Sequence, residues 1–200
     1  MPKLYVISGC NGAGKTTASY SLLPDLLGCQ EFVNSDEFAK SLSPFDPSAA
    51  SVSASRFMLL RIKYLLARNA DFCVETTLAT RSLVGIIKEA KDHGYKVTIL
   101  YFWLNSPELA IQRVHARVAA GGHSIKDEVV RRRYYMGLKY LFNTYIPLCD
   151  HWMLVDNSKP PFSVIAEGKQ DRIFIKDNEK LDLIKKNLNA YYENEQELLP

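Results

Sequence analysis

Gly9-Cys10-Asn11-Gly12-Ala13-Gly14-Lys15-Thr16 matches G-x-x-x-x-G-K-S/T at every fixed position. Glycines at that spacing let backbone N–H groups converge on phosphate oxygens, and the helix that follows adds roughly half a positive charge at its start. The lysine then holds the β- and γ-phosphates, and the hydroxyl ligates Mg²⁺. The pattern predicts ATP with Mg²⁺ as cofactors. Gly9, Asn11, Gly12, Ala13, Gly14, Lys15, Thr16 and Thr17 form the nucleotide-binding set, with Thr16 on the metal. The dinucleotide fingerprint G-x-G-x-x-G is not present, which disfavours a nicotinamide enzyme.

Phosphoryl transfer asks for positioning, charge neutralisation and a group that accepts the proton of an attacking hydroxyl. Asp36, in Asn34-Ser35-Asp36-Glu37, is the candidate for that last role. The same aspartate also reads as a helix N-cap. Glu75-Thr76-Thr77 offers an acid and two hydroxyls for an acceptor, although strand-end threonines also satisfy backbone groups. The basic half is the stretch 113–133: Arg113 and Arg117 lie one helical turn apart. The Gly121-Gly122 break would let the following segment fold over ATP as a lid. In Arg131-Arg132-Arg133, with about 100° per residue, Arg132 points away from the apolar stripe, and Arg131 and Arg133 flank it.

These residues need a frame that brings them to one rim. Residues 4–8 read as a strand, and 16–23 as a helix stopped by Pro24. Residues 31–34, 71–75, 96–104 and 152–156 read as further strands. Helices are expected over 55–69, 81–93, from Ser106-Pro107-Glu108 to Gly121-Gly122, and over 126–142. Residues 162–166 and 172–175 suggest a hairpin turned at Glu167-Gly168-Lys169-Gln170, and 179–194 a closing helix. Alternating strands and helices predict an α/β three-layer fold. Its mainly parallel five-stranded sheet binds ligands at the carboxyl ends of the strands, with an arginine-bearing lid and a C-terminal hairpin plus helix at about 160–195.

Two hundred residues suit one domain, 1–200, able to bury a full core. The chain is 47% hydrophobic and 24% charged with a net charge of +3, the balance of a globular chain rather than a disordered one. The N-terminus is too brief in apolar residues for a signal peptide, and no run approaches the ~20 residues of a spanning helix. Cys10, Cys29, Cys73 and Cys149 are scattered without a C-x-x-C pair, which argues against zinc and disulfides and for a cytoplasmic location.

Taken in order, the phosphate loop, Asn34-Ser35-Asp36-Glu37, Glu75-Thr76-Thr77-Leu78, Gly94-Tyr95-Lys96-Val97, Phe102-Trp103-Leu104, Arg117-Val118-Ala119-Ala120-Gly121-Gly122-His123, Arg131-Arg132-Arg133-Tyr134 and Asp156-Asn157-Ser158 resemble the zeta toxin family of P-loop kinases, in its zeta-like branch. The resemblance covers most of the chain. It implies an adenylate-kinase-like fold, Asp36 as catalytic base, Glu75 and Thr77 near the acceptor, and Asn157 at the nucleotide. By further similarity to adenylate kinases, Arg113, Arg117, Arg131 and Arg133 act on ATP phosphates, with Lys15, Arg117 and Arg133 in the transfer itself. The implied acceptor is a small hydroxyl-bearing molecule such as the nucleotide sugar UDP-N-acetylglucosamine, and the implied partner is a small antitoxin. The helix before the third strand, Arg56-Phe57-Met58-Leu59-Leu60-Arg61, lacks the acid that relatives often place there, and Arg56 becomes the candidate anion contact.

Three rivals share the phosphate loop. A transporter ATPase would need an L-S-G-G-Q-like segment, which the chain lacks. A polynucleotide 5′-kinase should interleave aromatic and basic residues along its groove. Tyr134, Tyr140 and Tyr145 read equally well as core, so nucleic acid is disfavoured as a partner. A non-catalytic nucleotide-gated binding protein would have no use for an aspartate placed like Asp36.

Overall fold

The computed structural model describes residues 1–25, 28–122, 124–169 and 172–196. Its strands are β1 (Lys3–Ser8), β2 (Phe32–Val33), β3 (Phe72–Thr76), β4 (Lys96–Trp103), β5 (His151–Asp156), β6 (Ser163–Lys169) and β7 (Arg172–Ile175). Its helices are α1 (Lys15–Asp25), α2 (Ser35–Leu42), α3 (Ser51–Ala67), α4 (Leu83–Asp92), α5 (Pro107–Ala119), α6 (Asp127–Tyr140) and α7 (Asn178–Gln196). One sheet of seven strands runs β2-β3-β1-β4-β5-β6-β7. The first five are parallel, as expected. The correction is at the far edge, where the C-terminal hairpin joins the same sheet antiparallel and raises the count from five to seven.

The register sets the rim. Ser8 at the end of β1 pairs with Thr76 on one side and Tyr101 on the other, and Trp103 pairs with Asp156. The carboxyl ends of β1, β3, β4 and β5 therefore finish on one side, followed by the phosphate loop, Thr77 and Asn157. Parallel strands covered on both faces read as continuous apolar runs. Leu4, Val6, Ile7, Phe72, Val74, Val97 and Ile99 are buried accordingly. Of the tyrosines weighed as stacking platforms, Tyr134 and Tyr145 are buried and Tyr140 is half-buried against the core. The Tyr134 hydroxyl donates to Leu104 O at 2.6 Å, and the Tyr145 hydroxyl donates to Thr80 O at 2.6 Å. Tyr140 carries the Arg81 guanidinium over its ring.

Three boundaries move for local reasons. α1 continues through Pro24 to Asp25, because a proline this near a helix end removes one ladder bond without breaking the preceding turns. α3 begins at Ser51, a turn before the apolar spacing becomes visible, and buries Ala54 ahead of Ile62, Leu65 and Leu66. β6 extends to Lys169, so Glu167, Gly168 and Lys169, expected in the turn, belong to the strand. Gln170, assigned to that turn, lies outside the described residues, as does His123 of the glycine-break motif. α6 passes into a π-helical turn, Leu141–Tyr145, rather than stopping at Phe142. α7 lies back on the body: Leu181 and Ile184 are buried, Lys180 bonds Asp156 at 3.0 Å, and Tyr191 stacks on Tyr135 of α6 at 3.9 Å. Among the described residues no helix is long and apolar enough to cross a membrane.

Candidate active site

β1 delivers the phosphate loop to the rim in a conformation glycine permits. Gly9, Gly12 and Gly14 all have positive φ. At Gly14 (φ 82°) a Cβ would stand 2.6 Å from Asn157 Nδ2, so the close approach of these two segments needs the missing side chain as well as the backbone freedom. Asn157 Nδ2 donates to Ala13 O at 2.8 Å. Arg113 donates to Asn157 O at 3.0 Å and Ser158 O at 2.8 Å. Arg113 and Asn157 thus brace the back of the loop.

Lys15, only 7% exposed, donates from Nζ to Cys10 O at 3.0 Å and stands 3.9 Å from Glu75 Oε1. Thr16 Oγ1 donates to Glu75 at 2.9 and 3.1 Å. Glu75, expected beside the acceptor, also reaches the lysine–threonine corner because β3 neighbours β1 in the sheet, while lining the narrower cavity described below. Burial pushes its carboxyl above the usual range, Lys15 and the Thr16 hydroxyl pull it back, and Asp36 and Glu37 raise it further. Thr17 is exposed on the outer side of α1 and lines neither cavity described below.

Asn34, not Asp36, caps α2: its Oδ1 accepts from Asp36 N at 2.8 Å. The capping role weighed for Asp36 is therefore filled by a neighbour. Its carboxylate makes no hydrogen bond or ion pair among the described residues. Opposite stands Arg133, whose Nη1 donates to Asn11 Oδ1 at 3.1 Å. Burial lowers the pKa of that guanidinium, and Asp36 raises it. α6 can bring Arg133 so close because Gly137, one turn on, meets the sheet directly. A Cβ there would fall 2.7 Å from the Tyr101 hydroxyl and 2.8 Å from Thr77 O.

Two cavities open along the rim. The wider, about 560 Å³, includes Thr16, Lys40, Arg117, Gly122, Ser124 and Ile125 in its lining. The narrower, about 320 Å³, includes Lys15, Met58, Glu75, Thr77, Leu83 and Ile86. Asn34, Ser35, Asp36, Ser55 and Arg133 line both. Lys15, Thr16, Asp36, Glu75, Thr77, Arg117 and Arg133 are thereby gathered in one place.

Other expected contacts are not: Thr17, Arg113 and Asn157 line neither cavity, and Arg131 and Arg56 fall outside both as well. Arg131 pairs with Glu108 on the exposed outer side of the α5–α6 pair, away from both cavities. Arg56 is exposed, because one step round α3 from Ser55 turns it outward. Sequence reasoning missed Asn34 as cap, Lys40, Ser82 and the apolar wall Met58, Leu83 and Ile86. The Asn-x-x-Glu start of α2 was the available signal for the first.

A protein-family model, the AAA domain, matches residues 4–134. The chain belongs to that family and has a kinase-like P-loop fold, the frame that its resemblance to zeta toxins required. It is 32% identical over 126 residues to an uncharacterized protein of Haemophilus influenzae, covering 63% of this chain and 88% of that one. Among solved structures it is similar to the AvrRxo1-ORF1:AvrRxo1-ORF2 complex with sulphate ions, with TM-score 0.70 and 19% identity over 92% of this chain. It spans 63% of that longer chain, which has also been solved with ATP. It is also similar to the PezAT chromosomal toxin-antitoxin system of Streptococcus pneumoniae (0.64, 15%, 96% of this chain and 88% of that one). A putative kinase from Chloroflexus aurantiacus matches at 0.54 and 18% identity, over 66% of this chain and 80% of that one. At these identities the likeness shows the fold.

Proposed function

We propose that the protein is an ATP-dependent phosphotransferase that moves the γ-phosphate to a hydroxyl of a small molecule. The carrying observation is the Asp36 carboxylate, relieved of capping by Asn34 and lining both cavities across from Arg133. In this reading the β- and γ-phosphates lie along the loop glycines and Lys15, with Arg117 and Arg133 beside the transferring group. There they neutralise the charge spread over its equatorial oxygens. Thr16 Oγ1 and the Glu75 carboxylate, already within hydrogen-bond distance of each other, are hard oxygen donors that suit Mg²⁺. Bound there, Mg²⁺ would supply positive charge against the negative charge developing in the transfer.

Asp36 takes the acceptor's proton, leaving the acceptor oxygen to form its bond to phosphorus as the bond to the β-phosphate oxygen breaks. Arg113 and Asn157 keep the loop in shape, and Thr77 stands ready to hold an acceptor hydroxyl. By resemblance, the first acceptor to assay is a nucleotide sugar such as UDP-N-acetylglucosamine. The likeness to a toxin-antitoxin system supports a small antitoxin protein as partner.

Asp36→Asn tests the reading. Asparagine keeps the shape and loses the basic oxygen, so ATP affinity and melting temperature stay close to wild type while phosphate transfer falls about a hundredfold or more. Wild-type transfer by the variant would remove Asp36 from the chemistry, and lost ATP affinity with unchanged turnover would move it to the metal's surroundings.

A further inference from the structure

The narrower cavity is built unlike the wider one, and the difference bears on what the acceptor is. Its cations, Lys15 and Arg133, both stand on the phosphate-loop side, bonded to Cys10 O and Asn11 Oδ1. Beyond them α3 contributes Ser55, Met58 and Leu59, α4 contributes Leu83 and Ile86, and the turn between β3 and α4 contributes Thr76, Thr77 and Ser82. None of these is charged. The nearest cations of α3 and of the turn before α4 lie elsewhere: Arg56 is exposed, Arg61 pairs with Glu31 at 2.6 Å, and Arg81 covers Tyr140. The two carboxylates in the lining, Asp36 and Glu75, belong to the transfer chemistry proposed above.

A charged group laid against this far wall finds no opposite charge on it and gives up hydration there, a loss that grows with burial. An anion would also face Asp36, Glu75 and the ATP phosphates. Apolar surface is accepted at no such cost, and hydroxyls find Ser55, Thr76, Thr77 and Ser82. The volume, about 320 Å³, lies at the small end of the range for small-molecule sites.

We infer that the narrower cavity is the acceptor site, and that the hydroxyl-bearing body entering it is uncharged with an apolar face laid on Met58, Leu83 and Ile86. Any ionic group of the acceptor stays outside. This rests on the kinase reading given above and narrows its substrate class.

A matched trio of probes tests it: phenyl glucoside, phenyl glucuronide and phenyl glucosaminide, alike in size but neutral, anionic and amine-bearing. Each is assayed as phosphate acceptor with ATP and as competitor of ATP turnover. The neutral compound is expected to engage at least about tenfold better than either charged one, by kcat/KM or by inhibition constant. Met58→Lys should cut that preference over the glucuronide about tenfold or reverse it, and Met58→Leu should keep it. Equal or better engagement of a charged member, failure of all three to engage, or a preference unmoved in Met58→Lys overturns the inference. Failure of the kinase reading looks different: the wild type would bind no ATP, or Asp36→Asn would transfer as the wild type does whatever the acceptor.

Discussion

Burial pushes the Glu75 carboxyl above its ordinary range even with Lys15 and the Thr16 hydroxyl pulling it back. A raised folded-state value means that the folded protein takes up this proton before the unfolded chain does. Its ionisation at neutral pH is therefore a cost that acidification relieves. Metal binding needs the opposite form, the carboxylate. We expect affinity for Mg·ATP to fall as pH is lowered from neutrality through that raised pKa, while affinity for ATP without metal changes less. Glu75→Gln should bind Mg·ATP weakly and lose that pH dependence. Calorimetric titrations at several pH values, with and without Mg²⁺, measure both. At this scale the sequence was most legible in bringing Lys15, Thr16 and Asp36 to one rim, where the structure gathers them. It was least legible where a partner arrives from far along the chain. Arg113 and Arg117 share a helical face, but the carbonyls of Asn157 and Ser158 that engage Arg113 lie more than forty residues on.

Helix α6 shows how an element divides apparently equal residues. Val130, Tyr134, Gly137 and Leu138 face inward, so Arg133, one turn before Gly137, is carried to the rim. Arg131 is carried to Glu108 instead. Arg133→Ala should lower kcat by about a hundredfold or more with a smaller effect on the KM for ATP, as expected for a cation that acts in the transition state. Arg131→Ala should alter turnover little and stability by less than about 1 kcal/mol, because an exposed ion pair contributes no more. Steady-state kinetics on the two variants side by side separate them, and equal losses would contradict the division. The stripe of α6 was readable from periodicity. The side on which each flanking arginine ends was not, since it depends on how closely Gly137 lets the helix approach Tyr101 and Thr77. Boundaries such as the start of α3 were hidden for a related reason: its first turn is held by Ala54, a residue too small to mark an apolar stripe.

For the whole molecule, the parallel sense of the first five strands follows from the alternation of strands and helices. The length of the sheet does not, because nothing within residues 162–175 says whether their hairpin pairs with itself alone or with β5. It pairs with β5, and this leaves β7 as the outer edge, with Ile173, Phe174 and Ile175 all exposed. A ladder of unpaired amides flanked by apolar side chains on both faces is a template for another strand, and natural edges usually blunt it with charge. Here only Arg172 interrupts the apolar run within the strand. The colloidal behaviour of the protein should accordingly depend on these four residues, four strands away from β1 and its phosphate loop. Ile173→Lys, at a position 63% exposed, should leave the melting temperature nearly unchanged and lower self-association in light scattering as concentration rises. Scattering identical to wild type would clear the edge of that role. Lower scattering would mean that the seam that lengthens the sheet also sets the concentration at which the protein stays monodisperse.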